Sequence, residues 1–426
     1  MKRFVVVVLD GLGIGAMEDV PAVRPEDMGA CTLGSILESR PDLRLPNLER
    51  LGLMNALGRE SARMRFSASG IWGRGSLMHW GADTFWGHQE ILGTLPKRPR
   101  CEPFSTVAEK IESLLLGKGY KVRRVGLGGL RPPGVEVGVG VEVEPLQNLY
   151  LLQVEDAVTL GDNLEADPGQ NYNVTAVLDR ISFDEALRIG RYVRESVEVS
   201  RVICFGNPSV NMDCLLSAME VRDARYMGVS SARSGVYGEG YRCIHMGYGV
   251  DSALQIPALL AERGVPVLLF GKVADIVENP RGESVSWVDT EEVLSMTMGA
   301  LTALERGFVC TNVQETDLAG HMQSAERYAE ALEKADPWIG RLMERLRDDD
   351  VLLVMADHGN DPNIGHTHHT REKVPILVYS PRVARPDGLE LGERDTLSDV
   401  GATVAAYFGA RAPENPHAKP IKELLI

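Results

Sequence analysis

Runs of consecutive valine, leucine and isoleucine punctuate this chain, and most of them stop at a polar residue or a glycine. They are FVVVVLDG (4–11), VPVLLFGK (265–272), FVCTN (308–312), VLLVMADHG (351–359) and VPILVYSP (374–381). Within each run the apolar residues do not alternate with polar ones. Both faces of such a strand must therefore be covered, as in a parallel sheet flanked by helices. Between some of the runs the spacing turns helical. Over 324–346 Ser324 can act as a cap, and Tyr328, Leu332, Ala335, Ile339, Leu342, Met343 and Leu346 recur on one face. Alternating strands and helices predict an α/β fold with its ligands at the carboxyl ends of the strands. Asp10, Lys272, Asp357 and His358 stand at such ends.

The middle of the chain has another texture. GLGGLRPPGVEVGVGVEVEP (126–145) is rich in glycine, proline and valine, ISFDEALRIGRYVRESV (181–197) reads as a helix, and SSARSGVYGEGY (230–241) reads as loop. The expectation is a smaller module over 98–247, inserted into a core built from 1–97 and 248–426.

Charge narrows the partners. Of 426 residues, 60 are acidic and 45 basic, a formal net charge of −15. Nucleic acid and anionic membrane both demand a basic surface and are not expected partners. A small anionic substrate stays open, because bound cations and a few local Arg or Lys residues make a positive pocket inside a negative protein. The six cysteines are dispersed and none forms C-x-x-C, which predicts reduced thiols in a cytoplasmic protein. The apolar run at the start spans only Phe4 to Leu9 before Asp10 interrupts it, too short for a signal peptide. No segment reaches the roughly 18 apolar residues of a membrane span.

Histidine supplies the chemistry. Five of the nine histidines fall between 321 and 369: His321, His358, His366, His368 and His369. TDLAGH sets Asp317 and His321 four residues apart, ADHGND sets Asp357 beside His358, and GHTHHTRE adds three imidazoles. An isolated Asp/His pair is most often a solvated helix face. Together with an aspartate ending the first strand, these carboxylates and imidazoles suit two ions of the Zn²⁺ or Mn²⁺ type. Two cations about 4 Å apart clamp the attacking and leaving oxygens of a phosphoryl displacement. Such a site calls for an oxygen nucleophile, and Thr84 in GADTFWGHQE (81–90) is the candidate. LDGLGIGA also satisfies the dinucleotide-binding spacing G-x-G-x-x-A, but the residues that follow do not read as the second strand that fingerprint needs. Its glycines are better read as a tight turn that brings Asp10 to an ion. Asp10-Gly11-Leu12 also lacks the second aspartate of a haloacid-dehalogenase-like D-x-D.

Several motifs in order carry a resemblance: VVVLDGLGIGA, DMGACTLGSI, LPNLERLGL, DTFWGHQEILG, GKVADI and ADHGNDP with HHTRE and VPILVYSP. With them the chain resembles the phosphopentomutases of the alkaline-phosphatase-like metalloenzyme superfamily. The resemblance implies a core with a central, mostly parallel sheet flanked by helices, carrying an inserted α+β cap. It implies two divalent ions, Mn²⁺ by family habit: one on Asp10, Asp357 and His358 with Thr84, the other on Asp317, His321 and His369. It further implies a phosphorylated Thr84, a sugar phosphate as substrate, and a sugar bisphosphate as possible activator. Lys272 would contact the substrate, His88 and Glu90 would orient the threonine loop, His366 would lie on the surface and His368 beside the ligands. The chain departs from the pattern in places. DLAGH is one residue shorter than the family's motif, GADT lacks its lysine, Glu165-Ala166-Asp167 stands for Ser-Ala-Asp, and RVICFGNP lacks an expected arginine. Asp167 and Arg242 remain as the substrate contacts of the cap. The rival activities are a phosphatase or phosphodiesterase using the same ions, and a mutase acting on another phosphorylated sugar.

Overall fold

A computed structural model describes residues 2–126, 149–165 and 168–425. They form two compact units, Met1–Pro96 with Val250–Ile426, and Lys97–Gly249. The first unit opens with β1 (Arg3–Leu9) and β2 (Ile71–Gly75). The second unit holds β3 (Val122–Gly126), β4 (Tyr150–Val154), β5 (Val158–Asp162), β6 (Asn171–Val177), β7 (Arg201–Asn207), β8 (Met219–Arg222), β9 (Tyr226–Val229) and β10 (Arg242–Gly247). The chain returns to the first with β11 (Val267–Phe270), β12 (Glu283–Val285), β13 (Gly307–Val313), β14 (Val351–Met355), β15 (Val374–Tyr379) and β16 (Leu389–Arg394).

The eight strands of the first unit form one sheet in the order β12-β11-β13-β1-β14-β15-β2-β16. Only β15 runs against the rest, pairing antiparallel with β14 on one side and β2 on the other. β1 lies in parallel register between β13 and β14, with Val8 opposite both Asn312 and Met355. Every residue of β1, β13 and β14 is buried, which is why their sequences are unbroken apolar runs. Helix Ala325–Arg345 covers one face. The Ser324 side chain accepts from the Arg327 amide at its start, and Tyr328, Leu332, Ala335, Ile339, Leu342 and Met343 are buried. Asp336 on the same helix accepts from the amides of Asn47 and Leu48, so it also caps helix Pro46–Leu51.

β2 has no counterpart among the apolar runs. Its sequence IWGRG carries glycines where it meets β16: a Cβ on Gly73 would stand 2.7 Å from the Gly392 carbonyl oxygen. Close backbone approach, rather than apolar side chains, specifies that strand. In the second unit a six-stranded sheet runs β10-β7-β6-β5-β4-β3. Helix Phe183–Ser196, capped by Ser182, packs in a core with Ala186, Ile189 and Val193 against Val174, Val202 and Cys204. The 230–241 stretch, expected as loop, contains the short helix Ser231–Ser234. The glycine-rich stretch beyond Gly126 lies outside the described residues. Among the described residues no helix is long and apolar enough to cross a membrane.

Candidate metal centre

The parallel strands deliver their polar ends to one edge of the first unit. Asp10 follows β1, Asp357 and His358 follow β14, and Asn312 lies near the end of β13. The turn after Asp10 depends on Gly11, which has φ +78° and whose missing Cβ would meet the Asn360 Cβ at 3.0 Å. Its amide donates to Asp357 Oδ1 at 3.2 Å, tying the two strand ends together. Asp317 and His321 face the same place from the start and end of helix Glu315–His321, one turn apart.

The result is two groups. Asp10, Asp357 and His358 have ligand atoms within 4.8 Å of one another, as have Asp317, His321 and His369. The His358 and His369 rings stack at 4.0 Å and join the groups. Lys272 Nζ lies between them, 3.2 Å from Asp10 and 2.8 Å from Asp317. Burial works against that ammonium, but Asp10, Asp317 and Asp357 together hold its pKa above the ordinary lysine value. Burial likewise opposes the imidazolium of His358, and Asp357 and Asp10 override it, pushing the pKa up to about 10. The carboxylates gathered here draw positive charge from whatever can carry it.

The donor atoms fit divalent ions. His321 Nδ1 is 2.7 Å from the Thr367 carbonyl, and His369 Nδ1 is 3.0 Å from the Ala82 carbonyl. Each Nδ1 therefore carries the proton, and the two Nε2 lone pairs face each other at 3.0 Å. Lone pairs that close repel unless a cation comes between them. His358 repeats the pattern: its Nδ1 bonds the Gly359 carbonyl at 2.9 Å, while its Nε2 is buried with no hydrogen-bond partner. Imidazoles fixed through one nitrogen with the other aimed at carboxylates are arranged as metal ligands.

Thr84 opens helix Thr84–Ile91, with Asp83 as its cap. Its hydroxyl donates to Asp357 Oδ2 at 2.8 Å and lies 3.4 Å from Asp10 Oδ1. The helix sits close because Gly87 has no side chain: a Cβ there would stand 2.7 Å from the Asp357 carbonyl oxygen. His88 and Glu90 anchor it. His88 Nδ1 is 2.9 Å from the Thr84 carbonyl and 3.1 Å from Asp357, and its Nε2 accepts from Asn312. Burial raises the cost of charge on Glu90, yet His79, Thr396 and the Leu397 amide hold its pKa below the usual value.

Two further residues of HHTRE, Arg371 and Glu372, brace the site in ways the motif does not specify. Arg371, nearly fully buried, donates to both oxygens of Asp19 and to the carbonyls of Leu77, His79 and Gly81. The loop before Thr84 thus has its carbonyls held by Arg371 and its Met78 and His79 amides held by Glu90. Glu372 accepts from the Gly15 and Thr32 amides and from the Thr32 and Thr370 hydroxyls. The motif HTRE was visible, but nothing local distinguishes an arginine bound to distant carbonyls from a surface one.

Two expectations are corrected. His366 is not a free surface side chain, because the turn at Gly365 (φ +97°) folds it inward to place Nε2 3.1 Å from buried Asp27. The same turn leaves His368 exposed rather than beside the ligands. Arg242 begins β10 in the second unit, exposed, with its guanidinium 4.3 Å from the Phe183 ring centre. Asp167 lies outside the described residues.

Comparison with known proteins places this arrangement. The sequence profile of the metalloenzyme superfamily matches residues 2–412. Phosphopentomutase of Symbiobacterium thermophilum is 31% identical over 419 residues, 96% of this chain and 95% of that protein. Phosphopentomutase of Syntrophotalea carbinolica is 30% identical over 409 residues, again 96% and 95%. Among solved structures, phosphoglycerate mutase of Leishmania mexicana aligns over 98% of this chain and 97% of that one, with 13% identity and a TM-score of 0.43. Fold and site define a metalloenzyme with the alkaline-phosphatase-like architecture. The near full-length kinship goes one step further: the chain belongs to the phosphopentomutase family, metal-dependent phosphomutases within that superfamily.

Proposed function

We propose that this chain moves a phosphoryl group between C1 and C5 of ribose or deoxyribose phosphate, and that the group passes through Thr84. The observation that carries this reading is the buried Thr84 hydroxyl, 2.8 Å from Asp357 and 3.4 Å from Asp10 at the first turn of its helix. Divalent ions, which we take to be Mn²⁺, held by Asp10, Asp357 and His358 with Thr84 and by Asp317, His321 and His369, would neutralise the phosphoryl oxygens during an in-line displacement.

In the proposed cycle Thr84 begins as a phosphate ester. A sugar hydroxyl attacks phosphorus, the bond from phosphorus to Thr84 Oγ1 breaks, and the hydroxyl proton ends on the freed threonine oxygen. The bisphosphate so formed turns over and returns its other phosphoryl group to Thr84. A small amount of sugar bisphosphate would charge an unphosphorylated enzyme, which makes it an activator. Lys272, already held by two carboxylates, would steady a phosphate or sugar oxygen. Asp167 and Arg242 of the second unit would hold the far end of the sugar phosphate, the unit acting as a cap that excludes water. Six dispersed cysteines with no C-x-x-C among them suit a cytoplasmic enzyme.

One observation favours a second substrate. The Tyr237 hydroxyl donates to Glu165 at 2.6 Å, so a carboxylate occupies the position where the resemblance leads one to expect serine. A carboxylate there favours a different phosphorylated sugar over a second phosphate nearby.

The test is a panel of sugar 1- and 5-phosphates with Mn²⁺ and a bisphosphate primer, following isomer and free phosphate together. The expected result is isomer formed well ahead of phosphate release, and no turnover with Thr84→Ala. Phosphate release keeping pace with isomer, or turnover by Thr84→Ala, overturns the reading.

A further inference from the structure

A cavity of about 300 Å³ lies at the other end of the large sheet, lined among others by Arg50, Ser69, Ile71, Met343, Tyr379 and Arg385. The strand register fixes its place. Tyr379 pairs with Leu352 near the start of β14, whereas Asp357 follows the end of that strand. The cavity is therefore separate from the metal ligands.

Its chemistry runs against that of the whole chain. The sequence has 60 acidic residues to 45 basic, yet this lining holds two arginines and no carboxylate. Among the described residues neither Arg50 nor Arg385 forms an ion pair, and the hydroxyls of Ser69 and Tyr379 have no hydrogen-bond partner. The Arg50 guanidinium is steadied over the Tyr379 ring, 5.5 Å from its centre. Beneath these groups the floor is apolar, with Ile71 and Met343 both buried. Guanidinium forks match phosphate and carboxylate oxygens, and a cavity of this size takes a small molecule.

We propose that this cavity binds a small organic anion. Its phosphate or carboxylate lies between Arg50 and Arg385, and its planar or apolar body lies against Tyr379, Ile71 and Met343. The proposal does not depend on the reaction proposed above.

Calorimetric titration of the metal-loaded protein with phenyl phosphate tests it, alongside inorganic phosphate and benzyl alcohol. Phenyl phosphate is expected to bind more tightly than either of the other two. In Arg50→Gln/Arg385→Gln that binding event weakens at least tenfold, while in Arg50→Lys/Arg385→Lys it weakens less. Ser69→Trp, which fills the mouth without touching charge, also blocks it. All three variants keep the metal content and isomerase rate of the parent. An unchanged isotherm in the glutamine variant, no phenyl phosphate binding that depends on these arginines, or benzyl alcohol binding as tightly as phenyl phosphate would each overturn the proposal.

Discussion

The two ligand groups differ in how they are enclosed. Asp10, Asp357 and His358 are fully buried, whereas beside buried Asp317 the His369 side chain is 16% exposed and His321 40%. The closed group lies against Thr84 and is braced by Gly11, Gly87, His88 and Asn312, all main-chain or fully buried contacts. The open group draws Asp317 and His321 from one short helix and His369 from a loop, with each imidazole Nδ1 held by a single main-chain carbonyl, of Thr367 or Ala82. A group that fixes a nucleophile gains from rigidity. A group through which a substrate must arrive gains from an open side. On the mechanism proposed above, the closed group would position Thr84 and the open group would admit the phosphate.

The sharpest way to break this comparison is to remove a ligand from each side. Asp357→Asn is expected to lower isomerase activity by about 10³-fold or more, with loss of one metal equivalent by elemental analysis and no recovery in excess Mn²⁺. His321→Ala should instead weaken one metal equivalent by roughly 10- to 100-fold and recover most of its rate at high Mn²⁺. Equal behaviour of the two variants would erase the distinction.

A smaller effect is expected from the clamp on the threonine loop. Arg371→Lys cannot reproduce contacts to Asp19 and three carbonyls at once. It should lower kcat by about 10²-fold through misplacement of Thr84, with both metals retained and KM little changed. Loss of metal in place of loss of kcat would make Arg371 a support of the ligands instead.

The smallest effect is in stability of the metal-free protein. His358 is raised from an ordinary imidazole to about 10. A group whose pKa rises on folding stabilises the folded state fully below its unfolded pKa, near 6.5, and that stabilisation is lost as the pH climbs towards 10. In the open group the shifts oppose each other: Asp317 raises the pKa of His321, while burial and His358 lower that of His369. Chelator-treated protein should therefore lose about 5 °C in Tm between pH 6.5 and 9, an effect that His358→Gln reduces most and His321→Gln leaves largely in place, part of the remainder coming from His88, which Asp357 raises against the cost of burial. Metal-loaded protein should show no such slope.

Much of this was legible along the chain. The six carboxylates and imidazoles that gather in the two groups each follow an apolar strand or occupy a short motif, TDLAGH, ADHG or HHTRE. A buried parallel strand has to be apolar throughout, so the first polar residue after it stands out. The helix over 325–345 was readable for the same reason, since its buried face repeats at helical spacing. β2 was not readable, because backbone contact through glycine specifies it and leaves no apolar pattern.

The sequence by itself determined which residues could ligate and that strand ends would carry them, because solvation forces apolar side chains inward and leaves polar ones at the edges. Tertiary structure alone decided the rest. It selected which imidazole nitrogen faces the carboxylates, turned His366 inward and His368 out, and set Arg371 on carbonyls that belong to a loop nearly 300 residues away. Those outcomes depend on hydrogen bonds to main-chain groups. Every residue has such groups, so no side-chain pattern announces them.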